Sequence, residues 1–212
     1  VALYDETNGL SWTETWDLTQ PIDTWHGVSL NQGGCVSALD LNANQLAGEI
    51  PAQLGDLASL LDLQLQHNSL TGNIPLELSN LIQLEVLNLG FNQLEGNIPP
   101  GLGNLTNLTQ LGLNNNQLSG TIPETLSNLT NLNIFFLGNN QLTGEIIPGV
   151  GGISNLVSLD LGFNQLTGNI PAELGNLIHL TSLSLGGNQL TGEIPDELRR
   201  LTNLKSLALI NN

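Results

Sequence analysis

The chain has 212 residues, enough for one domain with a real core, yet only 10% are charged and 4% aromatic. Acidic residues outnumber basic ones 19 to 3, a net charge of −16, so nucleic acids and anionic membrane surfaces are poor partners. No apolar run approaches the roughly 18 residues of a membrane helix, and one cysteine excludes an intrachain disulfide or a cysteine-built metal site.

The opening residues hold all three tryptophans, Trp12, Trp16 and Trp25, and the only tyrosine, Tyr4. They are expected to form a short helix near residues 1–8 and an aromatic lid. A sugar site lined by these indoles is the functional alternative. Gly33-Gly34 marks a turn, since no lysine-bearing helix start follows to make a phosphate cradle. Cys35 lies in that turn with no base nearby in sequence, and is expected to be a free thiol without a catalytic role.

From Asn44 onward an asparagine returns every 24 residues, at Asn68, Asn92, Asn116, Asn140, Asn164, Asn188 and Asn212, with no insertion or deletion. Leucines stand three and five residues before this marker, with Phe135 taking one such place in the fifth copy. Leucine stands two after it, glycine four after and isoleucine six after, and proline follows in every copy but the one with Ile147. Each L-x-L run has a period of two and reads as a strand of roughly three to five residues. The Gly-, Asn- and Pro-rich remainder must loop back to start the next strand. The strands then stack as a parallel sheet about 4.8 Å apart. No copy can bury its leucines alone, but stacked neighbours share a continuous core. The marker asparagines fall inside the turn, where their amides can bond the backbone of adjacent coils.

The segments LTGNIP, LSGTIP and LTGEIP, set in this 24-residue frame, resemble plant-type leucine-rich repeats over about 170 residues. Residues 24–50 resemble the N-terminal cap and first repeat of that family. Plant members bracket the W-x-G-V core with two cysteines. Here those places hold Asp23 and Leu30, which resembles the disulfide-free caps of bacterial and algal members. The reading is an α/β repeat fold: a right-handed solenoid with a parallel concave β-sheet. A cap would cover residues 1–36, and about eight repeats would fill 37–212, the last incomplete. The resemblance also implies a second short strand around each L-T-G-x-I-P stretch. It suggests inhibition of a secreted polysaccharide-degrading enzyme as one possible activity.

Alternation turns the residues two, four and six before each marker outward, onto the concave sheet. That face is polar and mostly uncharged. In its middle Ile134 and Phe136 share a strand, flanked by Gln110, Asn114 and Asp160, while Phe91 and Phe163 stand at its edge. An outward Phe among Gln, Asn and Ser is expected to anchor a ligand, because aromatics dominate binding hot spots. The candidate binding residues are therefore Phe136, Ile134, Gln110, Asn114, Asp160 and Phe163. Asp40, Asp62 and Asp160 favour a basic or neutral partner, although solvated carboxylates are the plainer account.

The histidines, His26, His67 and His179, stand at unrelated repeat positions, so no catalytic site, metal or cofactor is expected. Asn104, Asn107 and Asn128 head Asn-Leu-Thr triplets, which match glycosylation acceptors but are also what the repeat consensus produces. Arg199, Arg200 and Lys205 gather all the basic charge in the last copy, on a loop off the concave sheet. The expected function is non-catalytic recognition or adhesion by an extracellular or cell-surface monomer. Its partner would be a protein or peptide, or a polysaccharide. A spacer with no ligand of its own is the alternative. The pattern breaks off at Asn212, so the segment is expected to belong to a longer protein.

Overall fold

The structure is a computed structural model describing residues 1–212. Eight L-x-L runs become short strands: β2 (Val36–Asp40), β4 (Asp62–Gln64), β6 (Val86–Asn88), β8 (Gln110–Gly112), β10 (Ile134–Phe136), β11 (Ser158–Asp160), β12 (Ser182–Ser184) and β13 (Ser206–Ala208). Each pairs in parallel with the next, 24 residues on, so Leu39, Leu63, Leu87, Leu111 and Phe135 form one inward row. A one-residue slip would turn that row to solvent, and the core fixes the register. The buried apolar side chains form one cluster of 47 residues running from Leu3 to Leu201. Phe135, in the leucine slot, is fully enclosed.

Strands also form on the opposite wall of the coil: β3 (Ala47–Glu49) pairs with β5 (Ser69–Thr71), and β7 (Glu95–Asn97) with β9 (Gln117–Ser119). Later copies carry only single bridges, such as Thr121 with Thr143 and Asn169 with Thr191. The expected second strand is therefore complete only in the N-terminal half. The glycine of each L-x-G-x-I stretch has a positional cause. Gly96 has φ 73, and any Cβ there would strike the Asn73 carboxamide.

The segment expected to be plain loop contains one 3-10 turn per copy, for example Ala52–Asp56 and Glu124–Asn128. Proline stands at the N-cap of most of them, where the turn needs no N–H from it. In the exceptional copy Ile147 adopts φ −66, and Pro148 enters the turn behind it. Arg199 and Arg200 lie in the last such turn, Asp196–Arg200, rather than on an irregular loop.

The marker asparagines join coil to coil. Asn116 donates to Leu89 O at 3.0 Å and Leu113 O at 3.1 Å, and its Oδ1 accepts from Leu94 N at 2.9 Å. Asn92, Asn140, Asn164 and Asn188 repeat this pattern. A second asparagine ladder escaped the sequence reading. Asn107, Asn131, Asn155 and Asn203 each donate to a carbonyl 25 residues earlier.

The N-terminal residues cover the first coil with core packing, a paired strand and the first marker asparagine. Helix α1 (Ala2–Glu6) places Leu3 against the core. Strand β1 (Val28–Leu30) pairs antiparallel with β2 through the Asn31–Cys35 turn, a hairpin the sequence reading did not contain. Asn44 turns its amide to the cap, accepting from Glu14 N at 2.7 Å and donating to Glu14 O at 3.2 Å. Trp12 and Trp16 are buried edge to face at 4.9 Å, and Trp16 stacks on Trp25 at 4.8 Å. Their indole N–H groups donate to Thr7, His26 and Asp17 carbonyls. Burial and satisfied donors make Trp12 and Trp16 packing residues rather than the walls of a sugar site.

Asn116→Ala would strand the Leu94 N–H inside the coil and leave the Leu89 and Leu113 carbonyls with one amide donor each, from Asn92 and Asn140. It is expected to cost about 2–4 kcal/mol, more than one neutral hydrogen bond. Urea unfolding of the variant against the parent protein measures this.

Candidate ligand-binding face

The concave sheet brings most of the expected site residues together. Ile134 lies between Gln110 and Ser158, and Phe136 between Gly112 and Asp160. Phe136 does point away from the core, but it and Ile134 are half-buried rather than fully exposed. Their neighbours lie flat on the sheet and crowd them. The Asp160 carboxylate covers Gly138 and accepts from Gly162 N at 3.0 Å. The Asn88 carboxamide covers Gly112 in the same way. A side chain at either glycine would displace these polar groups, so the bare positions form the floor on which they rest. Asn114 leans toward Gly90, away from Phe136.

Phe163 stands apart from this group, at the rim. Its ring lies over Gly187 in the next copy and is 58% exposed. The residue just before each marker adopts left-handed backbone: His67 has φ 58, Phe91 56, Asn115 55, Asn139 55 and Phe163 54. Asparagine and glycine enter that region cheaply, whereas a bulky side chain costs about 1–3 kcal/mol there. Ladder bonds enforce the conformation, with Phe91 N donating to Asn114 O at 2.9 Å. His67 stacks on Phe91, ring centroids 4.2 Å apart and 18° from parallel. The three histidines stand at unrelated repeat positions, but His67 shares its own with Phe91, 24 residues on, and that column is the signal for the pair.

The N-terminal half of the face carries a polar chain. Gln66 donates to Gln64 at 3.2 Å, and Gln64 to Asp62 Oδ2 at 3.1 Å. Asp62 Oδ1 and Gln66 Oε1 are withdrawn from water with no hydrogen-bond partner. Withdrawal from water pushes the Asp62 carboxyl above its ordinary 3.8; the Gln64 hydrogen bond opposes this, and the Asp40 and Glu85 charges add to it. No group of three or more His, Cys, Asp or Glu side chains is placed to hold a metal ion. Cys35 is exposed and unpaired in the cap turn. No helix is long and apolar enough to cross a membrane.

The native state holds the Asp62 proton more tightly than the unfolded chain does. Stability therefore falls as pH rises from the unfolded value through the raised native one. Asp62→Asn is expected to raise the melting temperature at pH 7, with the gain fading as pH drops below the ordinary carboxylate range. Thermal unfolding across pH checks the sign.

Leucine-rich-repeat family models match residues 59–81, 82–127, 155–177 and 179–201, together more than half of the chain. No curated protein matches it by sequence. Among solved structures, the PEPR1–AtPEP1 complex aligns over all of this chain at 31% identity and TM-score 0.90, and over 30% of that chain. The Arabidopsis receptor kinase HAESA ectodomain, in complex with an N-terminally lengthened IDA peptide hormone, aligns over 97% of this chain and 45% of its own, at 29% identity and TM-score 0.68. A plant ice-binding protein aligns over 98% of this chain and 75% of its own, at 27% identity and TM-score 0.71. The chain thus spans less than half of the PEPR1–AtPEP1 and HAESA chains it matches. With its repeat, its parallel sheet and these matches in agreement, the chain belongs to the leucine-rich-repeat family.

Proposed function

We propose that this chain is a non-catalytic recognition module, outside the cytoplasm or at the cell surface, that binds a protein or peptide across its concave sheet. Residues 1–36 act as the cap and 37–212 as the binding rod. The observation that carries this reading is the outward pair Ile134 and Phe136, an apolar centre in a polar sheet face. An apolar anchor with a polar rim is the usual anatomy of a binding surface. The peptide-hormone complex of the similar HAESA ectodomain supports it.

The test is Phe136→Ala, titrated against a partner isolated by cross-linking to the wild-type protein. Truncating a central anchor is expected to cost about 2 kcal/mol, roughly a thirtyfold loss of affinity. The unfolding midpoint should change little, because Phe135 rather than Phe136 fills the core. Wild-type affinity in the variant would move the site to the Phe91 rim. Indifference to alanine anywhere on the face would favour the spacer.

A second reading concerns the opposite wall. Thr143, Thr167 and Thr191 hold one repeated pose, each hydroxyl donating to a glycine carbonyl at 3.3 Å, beside exposed Gln141, Gln165 and Gln189. Hydroxyls repeated about every 4.8 Å along one wall suit an ordered surface such as ice, and the similarity to a plant ice-binding protein supports this. Inhibition of ice recrystallisation, abolished by Thr167→Lys, is the outcome it requires.

A further inference from the structure

We propose that the ligand of the concave face is an extended peptide carrying Lys or Arg side chains, held against Asp40, Asp62 and Asp160. This rests on the face being a recognition surface and adds the chemistry of what it recognises.

The face carries charge of one sign. Asp40, Asp62 and Asp160 stand on β2, β4 and β11 at outward positions. All three cations of the chain lie in the last copy, and Arg199 is already paired with Asp196 at 2.8 Å. The carboxylates on β2, β4 and β11 therefore have no counterion on the sheet. An anionic partner would bring like charge to a surface of net −16, whereas a cationic one gains in both encounter and fit.

The aromatic groups suit the same partner. The stacked His67–Phe91 pair stands at the rim, and Phe136 sits beside Asp160. Ring faces attract cations, most strongly the arginine guanidinium.

Spacing selects a chain over a small amine. Asp40 and Asp160 lie five strands apart, about 24 Å at the usual strand separation, which roughly seven extended residues can span. No single small cation reaches both ends.

The experiment uses the 212-residue protein and three labelled peptides of about twelve residues, long enough to span that distance, in one Gly-Ser frame. Arg, Gln or Glu occupies the same regularly spaced positions in each. The Arg peptide is expected to bind. The Asp40→Asn, Asp62→Asn, Asp160→Asn triple variant should bind it about tenfold more weakly, or worse. The Glu77→Gln, Glu124→Gln, Glu173→Gln variant makes the same charge change in the 3-10 turns and should lose less than about threefold. Circular dichroism checks that both variants are folded. Equal losses in the two variants would overturn the proposal, because the attraction would then be general. Tighter binding of the Gln or Glu peptide, lost in Phe136→Ala, would overturn the basic assignment while leaving the face as a recognition surface. Binding of the Arg peptide that ignores every concave substitution would overturn both readings.

Discussion

The solenoid depends on one side chain repeated. A leucine row can be buried in many folds, but the inside of a tight coil also encloses backbone groups that no strand pairing reaches. The marker carboxamide answers them, with Nδ2 bridging carbonyls of two coils and Oδ1 taking an N–H from the preceding coil. A buried polar group that meets all its partners specifies geometry as well as stabilising it. Aspartate could accept but not donate, and leucine could do neither. That requirement explains why asparagine returns without a gap while the outward positions drift.

Much of this was legible in the sequence because the repeat supplies its own alignment. Eight copies in one chain separate what the coil demands from what it tolerates. The inward row, the strand register and the outward placement of Phe136 all followed from the spacing to Asn140. The β1–β2 hairpin did not, because the cap occurs once and offers no second copy to compare. The 3-10 turns were also missed. Their P-x-x-L signature sits in a segment whose glycines and prolines read as loop. The second asparagine ladder was hidden because His179 breaks its column.

The candidate face was legible in membership but not in exposure. Alternation says which way a side chain leaves the strand, not how far its neighbours lie across it. Asp160 lies over Gly138 and Asn88 over Gly112, and this polar carpet narrows the window around Phe136. The most open aromatic rings are instead Phe91 and Phe163, carried on left-handed backbone at the rim. There the coil fixes the main chain and leaves the side chain free, at a cost in strain that asparagine in the neighbouring copies avoids.

The unbroken 24-residue period has a metric consequence. With no insertion to stretch or shear the stack, every feature on the concave side falls on a fixed ruling, about 4.8 Å per copy. Phe91 and Phe163 share one column three copies apart, so their backbones lie about 14 Å from each other, with only curvature to adjust it. A partner touching both rings must carry its own contacts at a multiple of the same interval. The protein thus measures its ligand in whole coils, and changing the length it selects would require adding or deleting a repeat rather than substituting a residue.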